Sequence, residues 1–106
     1  MNFEDFRTLA LTFSGVEEGI AYGTPIWRVK KRMLTRVWED LETAVLKMDL
    51  SFRDTLIEAQ PNVFFVTDHY RGHPYILARL SAADPDQIHG ILQTGWKEIA
   101  PKRKAQ

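Results

Sequence analysis

The apolar positions recur first with a helical period, then with a period of two, then with a helical period again at the end. Asn2 stands where a helix cap belongs, with Asp5 in the first turn. Phe6, Leu9, Ala10 and Phe13 then fall on one helical face. Ser14-Gly15 is expected to end that helix. From Pro25 the alternation predicts three strands, Pro25–Lys30, Met33–Glu39 and Thr43–Asp49. The gaps Lys31-Arg32 and Asp40-Leu41-Glu42 are short enough to make them successive antiparallel hairpins. Trp27 and Val29 share a face of the first strand. Leu34, Arg36 and Trp38 share a face of the second, and Ala44, Leu46 and Met48 of the third. Both faces carry apolar residues, so the pattern does not say which is solvated.

A second helix is expected to open at Ser51, with Asp54 as its capping-box partner and Phe52, Leu56 and Ile57 facing inward. Pro61-Asn62 closes it. Val63–Val66 and Tyr75–Leu80 read as a fourth and fifth strand. The last helix has Asp84 as cap, Pro85 at its first position and Gln87 as box partner. Ile88, Ile91, Leu92, Trp96 and Ile99 form its stripe, and Pro101 stops it, leaving the basic tail Lys102-Arg103-Lys104. The order α-β-β-β-α-β-β-α predicts an α+β fold, an antiparallel five-stranded sheet with three helices packed on it.

Composition narrows the classes. A chain of 106 residues fits a single domain, 1–106, with 102–106 as a short basic tail. Hydrophobic residues at 44% and charged at 26% match a globular protein rather than a disordered one. No apolar run approaches the ~20 residues of a membrane-spanning helix. The opening MNFEDFRTLA lacks the basic segment and apolar run of a signal peptide, so a cytoplasmic protein with no membrane partner is expected. Cysteine is absent, which excludes disulfides, thiolate catalysis and cysteine-ligated zinc. Fourteen basic residues balance fourteen acidic ones, so any attraction to a polyanion must come from local clustering.

One cluster qualifies. Arg28, Lys30, Lys31, Arg32 and Arg36 place five cations in nine positions with no acid among them. A hairpin tip so charged can act as a wing that neutralises phosphates. An edge hairpin guarded by lysines against aggregation is the bland alternative.

The segment TDHYRGHPY, residues 67–75, carries the densest chemistry. His69 and His73 have the spacing of two helical metal ligands, but Gly72 and Pro74 bracket the second, and Pro disfavours helix before it. In an extended chain their Cα atoms would lie roughly 13 Å apart, so no metal site is expected. Thr67 and His69 could form a hydroxyl–imidazole pair, yet Asp68 on a strand points the other way, and no nucleophile elbow or phosphate-cradling loop occurs. No catalytic residue and no cofactor is expected, and the chain reads as non-enzymatic. Two readings of the cluster stand open. Asp68, Gly72 and Pro74 are turn formers that position the fifth strand, or exposed Tyr22, His69, Tyr70 and Arg71 form a surface for a protein or small molecule.

The stretches FEDFRTLAL…GVEE, YGTPIWRV, LKMD, FFVTDHYRGHPYILARL and GWKEIAPKR together resemble the MmcQ/YjbR family of small bacterial proteins, from about Phe3 to Arg103. Its signature falls here on Tyr22, Gly23, Pro25, Lys47, Thr67, His69, Tyr70, Gly72, Pro74, Arg79 and Leu80. The resemblance implies a YjbR-like, or secretion-chaperone-like, α+β domain and a double-wing DNA-binding role. It implies no catalytic residue. A binding protein that contacts DNA through the basic hairpin is the first expectation; a protein- or small-molecule-binding module is the second.

Overall fold

A computed structural model of the chain describes residues 1–101 and realises these patterns as three α-helices and a six-stranded antiparallel sheet. The tail Lys102-Arg103-Lys104 lies outside the described residues. The helices are α1 (Phe3–Leu11), α2 (Leu50–Ala59) and α3 (Pro85–Ile99). The strands are β1 (Val16–Ala21), β2 (Thr24–Val29), β3 (Arg32–Val37), β4 (Thr43–Lys47), β5 (Phe64–Phe65) and β6 (Tyr75–Arg79). They lie in the order β1-β2-β3-β4-β6-β5, giving the expected α+β fold with one strand more than predicted.

The extra strand is β1. Its sequence VEEGIA carries two glutamates and a glycine, all disfavoured in strands, and it is held in place by pairing along the whole of β2. Tyr22 and Gly23 form the two-residue turn, both with positive φ, at 54° and 80°. To make room, α1 ends at Leu11 rather than at Ser14-Gly15. Phe13 leaves the helix and stacks on His89 of α3.

The cap of α1 is the expected one: Asn2 accepts from the Asp5 amide at 2.8 Å, and Asp5 accepts from the Asn2 amide. The cap of α2 is not. Asp49 takes that role, accepting from the Ser51 amide at 2.9 Å, so β4 stops at Lys47 and Ser51 lies inside the helix. The register of α2 turns accordingly. Phe52 is 66% exposed, and Arg53 is the residue it buries. In α3, Asp84 accepts from the Asp86 amide and Pro85 opens the helix, but Gln87 forms no box. The predicted fourth strand shrinks to Phe64–Phe65, because the chain then turns through a short 3₁₀ segment, Asp68–Tyr70.

Residues from the sheet and all three helices make one core. Phe6 meets Trp27 edge to face at 5.6 Å, and Leu34, Leu46, Ile76, Ile88 and Leu92 are buried with them. Each such side chain contributes about 1.5–3 kcal/mol. The buried Trp27 indole donates to Glu18 of β1 at 3.0 Å, and Arg7 of α1 donates to the same carboxylate oxygen at 2.7 Å. One glutamate thereby ties helix, edge strand and core together. A bulge in the β2–β3 ladder, between Trp27 and Arg28, breaks the alternation of β3. Leu34 joins the core while Arg36 and Trp38, predicted on its face, line a separate hollow.

Candidate nucleic-acid interface

The antiparallel register fixes which turns share an end of the sheet. The Tyr22-Gly23 turn, the β3–β4 connection and Arg79 lie at one end. The Lys30-Lys31 turn and the 66–74 segment lie at the other.

At that second end, Lys30 and Lys31 form the hairpin turn, one residue earlier than the Lys31-Arg32 expected from sequence. Both adopt the left-handed backbone, with φ of 47° and 72°. Two-residue turns of this hand favour Asn and Gly, so a pair of lysines here is conformationally costly. Lys30, Lys31 and Arg32 are all exposed. No ion pair to Arg28, Lys30, Lys31, Arg32 or Arg36 forms among the described residues. Acid is nevertheless brought near. Glu17 sits directly opposite Arg28, and Glu17, Glu18 and Gly19 line a hollow with Arg28, Lys30 and Lys31. Glu18 is already bound to Arg7, which leaves Glu17 as the carboxylate beside the cations with no ion pair among the described residues.

The five cations do not form one surface. Arg36 lies four residues up the strand from Arg32, roughly 13 Å. Its Nη2 donates to the Thr24 hydroxyl at 3.0 Å, away from the tip. Arg79 is at the far end, its guanidinium 4.2 Å from the Phe65 ring centroid. Pro101, where the described chain ends, lines a hollow with Lys30 and Val29.

The second proposed group is also divided. Tyr22 stands at the opposite end of the sheet from His69, Tyr70 and Arg71. Those three follow one another in and just after the 3₁₀ turn. His69 meets Tyr70 edge to face at 4.8 Å, and Arg71 donates to Asp68 at 3.2 Å. What shapes this segment is Arg53. Its Nη1 donates to the carbonyls of Tyr70, His73 and Tyr75 at 3.2, 2.9 and 3.2 Å, and its Nη2 to the carbonyl of Arg71 at 2.6 Å. One buried guanidinium thus gathers four carbonyls of the segment, two of which, those of Tyr70 and His73, also accept from the His73 and Tyr75 amides. A signal was present in the sequence: Arg53 shares the i, i+3, i+4 stripe with Leu56 and Ile57, a cation on an apolar face. No group of three or more metal-ligating side chains occurs among the described residues. No described helix is long and apolar enough to cross a membrane.

No family model matches the chain. The crystal structure of Deinococcus radiodurans protein DR2400, a domain of family DUF419, superposes with a TM-score of 0.80 at 17% identity, covering 99% of this chain and 83% of that one. The fold is that of a DUF419 domain. DUF419 is the YjbR/MmcQ-like fold family. By sequence, the chain is 26% identical over 91 residues to the uncharacterized proteins Rv2570 of Mycobacterium tuberculosis and Mb2600 of Mycobacterium bovis. The aligned part covers 82% of this chain and 70% of each of theirs. Within the DUF419 fold, both the hairpin tip and the segment held by Arg53 thus project from one end of the sheet.

Proposed function

We propose that this chain is a cytoplasmic member of the MmcQ/YjbR family that binds nucleic acid through the tip of its β2–β3 hairpin. The observation that carries the reading is the turn itself. Two lysines occupy left-handed positions that Asn and Gly would fill at lower cost, and they and Arg32 are left exposed without ion pairs among the described residues. The two-residue turn itself demands that backbone, and the choice of lysine for it, at a cost Asn and Gly would not carry, supports a role for the two charges. Arg28 adds a fourth cation, reduced in effect by Glu17 opposite it. Arg36 belongs to another hollow and is not part of this contact.

Three to four neutralised phosphates give a slope of about −3 to −4 in log K against log salt. Anisotropy titrations on labelled duplexes at several salt concentrations measure it. Lys30→Gln with Lys31→Gln is expected to remove about half to two-thirds of the slope, and Glu17→Gln to strengthen binding. Binding that is absent at low salt, or unchanged in the double variant, overturns the reading.

A second reading assigns protein docking to His69, Tyr70 and Arg71. It is supported by the grip of Arg53, which spends the local carbonyls internally and leaves the His69 and Arg71 side chains facing solvent.

A further inference from the structure

At the end of the sheet remote from the lysine turn, the β1–β2 turn and the β3–β4 connection flank a hollow of 490 Å³ lined by Tyr22, Thr24, Arg36, Trp38, Glu39 and Asp40. From its contents we infer that it is a binding site for a small planar carboxylate, an aromatic or heteroaromatic acid. It is separate from the hairpin tip and independent of the nucleic-acid reading.

The cation comes first. Arg36 is half-buried in the middle of the sheet, opposite Ile26 and Val45, where the fold leaves its charge without a counter-ion among the described residues. Its one hydrogen bond among the described residues goes to Thr24, whose own hydroxyl donates to the Ala21 carbonyl at 3.0 Å. Its Nε is sealed from solvent with no acceptor among the described residues. Partial burial of an under-satisfied guanidinium is expensive unless an acceptor arrives, and a carboxylate matches its fork. The two carboxylates nearby do not fill that role. Asp40 is spent on its own turn, accepting from the Glu42 and Thr43 amides at 2.9 Å each and from the Thr43 hydroxyl at 2.8 Å. Glu39 is exposed at the rim, where solvent screens it.

The aromatic walls come second. Trp27 and Trp96 each donate their indole N–H to protein, to Glu18 and to the Ser14 carbonyl, whereas Trp38 has no acceptor among the described residues. The Trp38 ring is braced edge-on by Phe65 at 6.3 Å. On the other wall Tyr22 is 93% exposed in a left-handed turn position and contributes nothing to the core. A fixed indole with a free donor, a displayed phenol and an unsatisfied guanidinium across one hollow suit a flat body with a negative end.

The test is amide and indole NMR on the full chain with benzoate and nicotinate, each raised to about 10 mM, a range in which fragment-sized ligands bind. Benzamide and nicotinamide serve as uncharged counterparts and benzylamine as a cation. The carboxylates are expected to shift Thr24, Arg36 and the Trp38 indole signal, and to bind about tenfold more tightly than the carboxamides, the difference between a charged and a neutral hydrogen bond. Arg36→Gln abolishes that preference, and Glu39→Gln tightens carboxylate binding. Tyr22→Ala, at a site too exposed to threaten folding, weakens binding severalfold. Equal binding of acids and amides, preference for benzylamine, shifts lying elsewhere, or no shift at all each overturn the proposal.

Discussion

Arg53→Met keeps the length and helix propensity of the side chain and removes the guanidinium. Two of its four bonds to carbonyl oxygen are short, at 2.6 and 2.9 Å, and two sit at 3.2 Å. Bonds to a charged donor contribute about 1.5–3 kcal/mol, so the short pair alone accounts for about 3–6 kcal/mol. Water replaces part of this, because residues 71–74 are exposed and their carbonyls can be hydrated once the arginine is gone. The expected loss is therefore about 2–4 kcal/mol, a large share of a small domain's stability. For this size of domain that corresponds to a fall in Tm of about 10–20 °C. Arg53→Lys, with a single ammonium in place of the fork, is expected to fall between wild type and Arg53→Met. Guanidinium chloride unfolding followed by circular dichroism measures the total. Hydrogen exchange at the Tyr70 and His73 amides, which close the turn onto the Thr67 and Tyr70 carbonyls, reports the local part. A loss below about 1 kcal/mol with unchanged exchange at both amides would show that the segment holds its shape without the arginine, and the account of the 66–75 stretch given above would fail.

Lys30→Asn with Lys31→Gly relieves two left-handed residues and is expected to raise stability by about 0.5–2 kcal/mol while weakening duplex binding, so thermal melts and anisotropy should move in opposite senses. Gly90, exposed in the middle of α3 with nothing within 4 Å of an added Cβ, should accept alanine with a gain of about 0.5–1 kcal/mol in denaturant unfolding. For Asp40, partial burial works against ionisation, but the bonds from Glu42 and Thr43 outweigh it and hold the carboxyl below the usual carboxylate range; for Asp49 the Ser51 bonds do the same. Both pKa values are lowered by folding, so the stability they give is present above the unfolded carboxylate range and is lost as pH falls through the folded values. Acid titration of Asp40→Asn should accordingly show less stability lost on acidification than wild type, and an identical profile would refute the assignment.

Much of the fold was legible because the responsible interactions are local. Asn2 and Asp84 sit next to the amides they cap, and the stripes of α1 and α3 repeat at their own helical spacing. Most of the misread places share one cause, a distant partner that outweighed local preference; the cap of α2 is the local exception. VEEGIA looks like a poor strand until β2 is alongside it. Ser51 looks like a cap until Asp49, freed by the end of β4, takes the position first. Phe52 looks like a core residue until the carbonyls of 70–75 draw Arg53 inward in its stead.

The candidate sites divide along the same line. The cations of the first hairpin and the polar residues of TDHYRGHPY were visible as sequence, because identity and spacing need no partner. Their grouping was not. Pairing register sends Tyr22 to one end of the sheet and His69 to the other, puts Glu17 across from Arg28, and hands Arg36 to a hollow shared with Trp38. Periodicity, capping and turn chemistry act over a few residues and can be read from the chain. Which charges neighbour one another depends on strand pairing between remote segments, and only the folded sheet decides it.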